Sequence, residues 1–101
     1  MFLYNITVMA NWDIHEKWLQ WQLEEHIPQI MGTGCFYKNQ LLRILEIDET
    51  DGPTYAVQFY ANSKADYNKY IEIHAPGLRA ITQQKWGEQC VAFRTLMQVV
   101  H

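Results

Sequence analysis

The residue best suited to acid–base chemistry is His26, two places before Pro28 on a stretch that also carries Trp18 and Trp21. An imidazole near its ordinary pKa of about 6.5 exchanges protons at neutral pH, and a nearby proline frees a carbonyl and distorts the turn around it. The plainer alternative is that His26 donates to a backbone carbonyl or a carboxylate and steadies that distortion. His74 repeats the arrangement before Pro76, with the same two readings. Trp18 and Trp21 share a helix face with Ile14 and make either an aromatic wall for a bound molecule or ordinary core. Arg43 and Arg94 can each grip a carboxylate with two hydrogen bonds, and Asn5, Gln58 and Tyr60 add polar groups on strands expected to be buried. These five residues either hold an acidic or carbonyl-bearing ligand, or pair with one another and with Glu46 across an interface.

Other chemistries lack their residues. Cys35 and Cys90 are far apart and belong to no Cys/His cluster, so they read as free thiols of a reducing cytoplasm. The four histidines, His15, His26, His74 and His101, have no zinc-site spacing, and Gly32 with Gly34 lacks the rest of a phosphate loop. No metal and no cofactor are therefore expected. Eight basic against eleven acidic residues give a net charge of −3, which argues against a nucleic-acid partner. No stretch approaches the ~18 uncharged apolar residues of a membrane span. The opening MFLYNITVMANW has no basic flank and is interrupted by Asn5, so it does not read as a signal peptide.

The elements that must position these side chains come next. The chain has 101 residues, 49% of them hydrophobic and 19% charged, enough apolar surface for one folded domain, residues 1–101, and too short for two. FLYNITVM (residues 2–9) reads as a strand, and Asp13 with Glu16 opens a helix in the manner of a capping box. That helix carries a Trp18/Trp21/Ile14 stripe and a second stripe of Leu19, Leu23, Ile27 and Ile30, and ends at Gly32 and Gly34. Pro28 predicts a kink or short break that drives Ile27 from helical angles. Residues 35–48 read as one long strand, firmest over LLRILEID, with a bulge or bend at Lys38-Asn39-Gln40. D-E-T-D-G-P (48–53) is a hairpin turn, and TYAVQFYA (54–61) a third strand. Ser63 with Asp66 caps a second helix interrupted at Pro76, and residues 89–100 make the last strand.

The two halves echo each other. E-x-H-x-P occurs as Glu24 to Pro28 and again as Glu72 to Pro76, each followed by a strand with a Cys near its start and an Arg within it. A doubled β-α-β is the ferredoxin-like βαββαβ fold, class α+β, with right-handed crossovers giving a four-stranded antiparallel sheet in the order 4-1-3-2. Cys35 and Cys90 then begin opposite edge strands about 14 Å apart, too far for a disulfide. Alternation places Phe2, Tyr4, Ile6, Val8, Tyr55, Val57, Phe59, Val91, Phe93, Met97 and Val99 under the helices. Leu3, Asn5, Thr7, Met9, Ala56, Gln58, Tyr60, Cys90, Ala92, Arg94, Leu96 and Gln98 fall on the other face. Two helices cover only one face, and the other is too apolar to stay wet. A second copy of the chain is the economical cover.

The pattern Trp18, Trp21, His26, Pro28, with His74-Ala75-Pro76 and the closing V-A-F-R-T (91–95), resembles a small bacterial family of unknown function. That family in turn resembles the dimeric α/β-barrel superfamily, in which two ferredoxin-like protomers pack sheet to sheet. The likeness spans essentially the whole chain, and it implies the homodimer much more strongly than any one activity. An RNA-recognition reading fails because the third strand has aromatics without glycines or a basic residue. A haem-degrading reading fits Asn5 and His74 loosely and lacks a Trp on the third strand. An acylphosphatase would need a glycine-rich anion loop where Met9-Ala10-Asn11-Trp12 stands.

Two functions follow. The first is a homodimeric module holding a small apolar or carboxylate ligand, with Trp18, Trp21, His26, His74, Tyr60, Arg43 and Arg94 as its candidate residues. The second is a cofactor-independent monooxygenase or isomerase using His26 as acid or base. The lack of a clustered nucleophile, metal set or cofactor motif favours the first, and a ligand-sized cavity beside His26 would favour the second.

Overall fold

A computed structural model describes residues 1–101. The elements run β1 (Phe2–Ala10), helix α1 (residues 15–31), β2 (Lys38–Arg43), β3 (Thr54–Ala61), helix α2 (residues 64–86) and β4 (Cys90–Gln98). The strands form one antiparallel sheet in the order β2-β3-β1-β4, which is the expected 4-1-3-2 read from the other edge. The fold is α+β and ferredoxin-like. Cys35 and Cys90 are both free, near opposite edges of the sheet.

Each helix widens into a π-helical segment just before its proline, Gln22–His26 in α1 and Tyr70–His74 in α2. The expected break does not occur: Ile27 keeps φ −59° and ψ −46°, and the helix continues through Pro28. Proline has no N–H for the carbonyl four residues back and its ring crowds that carbonyl. Loosening the ladder over the preceding turn relieves both problems without ending the helix.

The two helices start differently. Ser63 Oγ accepts from the Asp66 N–H at 3.1 Å, the cap its sequence predicts. The predicted Asp13–Glu16 cap is absent from α1. Asn11 Oδ1 instead accepts from the Asp13 N–H at 2.9 Å, a side-chain turn that delivers the chain to an uncapped helix start.

The second strand is much shorter than the expected 35–48. Lys38-Asn39-Gln40 pairs regularly instead of bulging, and after a last bond from Ile44 N to Thr54 O residues 45–48 leave the sheet with Leu45 and Ile47 exposed and Glu46 at φ 61°. This loop folds back on the β1–α1 junction. Ala10 N donates to Pro53 O at 3.1 Å, Trp12 N to Asp51 O at 3.1 Å, and Trp12 Nε1 to Glu49 O at 2.8 Å. Gly52 sits so close there that a Cβ would overlap the Ala10 carbonyl. Asn11 N donates to Gln89 O at 2.9 Å, tying the approach to β4 to the same point.

Sheet register settles the faces. Tyr4, Ile6 and Val8 stand beside Phe59, Val57 and Tyr55 under the helices, as expected. In β4 the expected phase is inverted: Tyr4 pairs with Leu96, Ile6 with Arg94 and Val8 with Ala92, so Leu96, Arg94, Ala92 and Cys90 face the helix side. Val91, Phe93 and Met97 lie on the open face, where Val91 and Phe93 are 60% and 62% exposed. Period-two alternation fixes which residues share a side, not which side meets the helices. A polar row of Gln40, Gln58, Asn5 and Thr95 crosses the open face, Gln58 Nε2 donating to Asn5 Oδ1 at 3.2 Å.

Candidate functional site

From Ile14, just before α1, a stripe of every fourth residue is buried, Ile14, Trp18, Gln22, His26 and Ile30, with Trp21 and Ile27 buried beside it. Four residues of regular α-helix overshoot a full turn by about 40°, so such a stripe would wind off the sheet. The wider π turn over Gln22–His26 absorbs part of that drift and keeps the stripe facing inward. Neither expected stripe faces inward by itself: Trp18, over Tyr55 at 5.3 Å, and Trp21 are buried together with Ile27 and Ile30 of the second stripe, whose Leu23 is 56% exposed.

A cavity of about 510 Å³ lies between the two helices and the β1–β4 side of the sheet, within the range of small-molecule sites. It reaches the edge strand β4. Ile6, Val8, Trp18, Ile30, Val57 and Leu78 give it apolar walls. From α1 it receives Gln22 and His26, 5% and 8% exposed, whose Oε1 and Nδ1 are buried with no hydrogen-bond partner. His26 stacks on Trp21 with ring centroids 4.4 Å apart and planes 17° apart, and Trp21 meets Trp86 edge-on at 5.7 Å. Burial lowers the His26 pKa to about 4, so its imidazole is neutral at pH 7.

The opposite wall is cationic. Arg79 from α2 donates from Nη2 to the Tyr4 hydroxyl at 3.1 Å, and Arg94 enters from β4. The lining contains no Asp or Glu, and the molecule's single ion pair, Arg43 Nη2 to Glu49 Oε1 at 2.8 Å, lies elsewhere. Burial pushes the Tyr70 phenol up, next to the Tyr4 hydroxyl, and raises the Cys90 thiol to about 11. Both stay protonated at neutral pH, so Cys90 offers no thiolate nucleophile. No three His, Cys, Asp or Glu side chains converge as metal ligands.

Of the residues singled out from sequence, Trp18, His26 and Arg94 line this cavity together, and Trp21 backs His26. His74 is half-buried against Tyr70 at 6.4 Å and does not line it. Tyr60 belongs to the open sheet face with Lys38 Nζ 5.0 Å from its ring, and Arg43, at the end of β2, is held by Glu49 of the following loop. The imagined grouping of Asn5, Arg43, Gln58, Tyr60 and Arg94 is thus dispersed over three places. Sequence reading passed over Gln22, Tyr4, Tyr70 and Arg79. Two signals pointed there: Gln22 stands four residues from both Trp18 and His26, and Tyr70 occupies its place in the repeated half.

A family profile described as a domain of unknown function (DUF4286) matches residues 1–100. No curated protein matches the sequence. Among solved structures, an ethyl tert-butyl ether (EthD) family protein from Bacillus halodurans superposes with a TM-score of 0.72 at 8% identity, covering 99% of this chain and all of that one. A provisionally assigned antibiotic biosynthesis monooxygenase from Deinococcus radiodurans gives 0.60 at 13% identity, covering 100% of this chain and 94% of the other. At these identities the likeness is one of fold.

Proposed function

The chain belongs to the DUF4286 family, and from that premise we propose that it is a homodimeric α/β-barrel module holding a small apolar or carboxylate ligand between helices and sheet. The observation that carries the reading is the cavity itself, which joins apolar walls to buried polar groups without partners and to arginines without carboxylates. Buried polar groups such as Gln22 Oε1 and His26 Nδ1 are normally satisfied inside the protein, whereas Arg79 and Arg94 are exposed and add charge at its solvent side. A ligand would satisfy them. Thermal-shift screening with small organic acids and apolar molecules tests this: binders should lose their effect in Trp18→Ala or Arg94→Gln. Stabilisation unchanged in both variants would move the ligand elsewhere.

The dimer rests on the open face, where Val91, Phe93, Leu42 and Met97 expose apolar surface beside the central polar row. Covering about 800 Å² of it per protomer would make an interface of standard size. Sedimentation should give about twice 12.0 kDa, and Phe93→Asp should return a folded monomer. Leu96→Asp would not test this face, because Leu96 lies on the helix side. The two free thiols fit a reducing cytoplasm.

A second reading is favoured by His26 bordering the cavity: a cofactor-independent monooxygenase or isomerase in which the neutral imidazole takes a proton from a bound acidic C–H or O–H. The structural neighbour assigned provisionally as a monooxygenase supports it at the level of fold. His26→Gln separates the two readings, since a binder keeps its ligand and an enzyme loses turnover while still binding substrate.

A further inference from the structure

We infer that the cavity's ligand is an amphiphilic hydroxy acid: an organic anion on an apolar, ring-sized body that also carries a hydroxyl or N–H donor. This rests on the binding reading above and adds what the two polar walls require. Arg79 and Arg94 contribute two guanidinium groups with no carboxylate among the lining residues, in a chain whose net charge is −3. Arg79 is oriented by its bond to the Tyr4 hydroxyl at 3.1 Å, and that bond leaves guanidinium donors for an incoming anion.

The α1 wall asks for something different. Gln22 Oε1 is an acceptor, more than nine-tenths buried with its residue and unpartnered, and a carboxylate has nothing to donate to it. The His26 imidazole, held neutral, offers one donor and one acceptor and no charge to pair with an anion. A neutral hydroxyl or N–H satisfies both Gln22 and His26, whereas the anion belongs at the arginines. Between the two walls stand Trp18, Ile30, Val57 and Leu78, suited to a flat apolar body.

Three probes of one skeleton test this by calorimetry on the intact protein: para-hydroxyphenylpropionate, phenylpropionate without the hydroxyl, and para-hydroxyphenylpropanol without the charge. The Trp18 indole resonance reports whether each enters the cavity. The hydroxy acid should bind about tenfold more tightly than either partner molecule. Arg94→Gln, an exposed position, should remove the advantage of the charge and keep that of the hydroxyl. Gln22→Met, close in volume, should do the reverse. Equal affinities for all three probes, with the Trp18 resonance shifting, would overturn the hydroxy-acid assignment and leave the binding reading intact. No shift of Trp18 with any probe would overturn both.

Discussion

The two halves of the molecule share a motif and a backbone irregularity but not a site. E-x-H-x-P lies on a π-helical segment in both helices, and both continue through the proline. His26 is nevertheless buried on Trp21 at the cavity, whereas His74 lies half-exposed against Tyr70. The equivalent positions Gln22 and Tyr70, and likewise Ile30 and Leu78, all line the cavity. Repetition thus reproduces which way the helix faces. It does not reproduce the chemistry, which depends on the neighbours each half supplies: Lys69 stands where the first half has Trp21.

The largest way to break this contrast is to remove the neighbour. Trp21→Ala should cost about 3–5 kcal/mol in urea unfolding, because it empties the space between His26 and Trp86. Lys69→Ala, the matching change in the exposed last turn before the second π segment, should cost less than ~0.5 kcal/mol. Comparable losses would mean the halves are packed alike.

Acid sharpens the contrast next. The His26 imidazole protonates near 6.5 when unfolded and at about 4 when folded, so between those values the unfolded chain holds the extra proton. Its contribution is complete above pH 6.5 and is lost as pH falls towards 4, by about 3 kcal/mol in all. Unfolding midpoints measured across that window should flatten in His26→Gln. A slope unaffected by His26→Gln would show that other groups govern the acid sensitivity.

The smallest contrast is between the helix starts. Ser63→Ala should cost about 1 kcal/mol, since the hydroxyl satisfies the Asp66 N–H. Asp13→Ala should cost less than ~0.5 kcal/mol, because that side chain caps nothing. Denaturation of the two variants side by side checks the order.

Most of the fold was legible because strong local signals agreed: β-branched runs for β1 and β3, Ser63 before a periodic helix, and two prolines at the same place in each half. What was misread depended on partners that are distant in the chain. LLRILEID alternates as a strand should, yet its pairing with β3 ends at Arg43 and one last bond from Ile44 N to Thr54 O. The regular Val91, Phe93, Met97 series looked like the core side of β4 because nothing local says which face the helices will cover. The site was half legible. Trp18, His26 and Arg94 carry obvious chemistry, whereas Gln22 becomes notable only when burial strips it of partners, and Arg79 only when Tyr4 turns out to lie within its reach.

The junction where the 44–53 loop lies across the end of β1 limits how such a chain can change length. Gly52 occupies its place without room for any side chain, and Pro53, Asp51 and Glu49 are held there through backbone carbonyls, whatever side chains they bear. Residues 45–47 are outside this clasp and exposed. Extra residues can accumulate at 45–47 as a longer arm, while one inserted between 49 and 53 would have to unfasten the entry to α1 and the approach to β4 together.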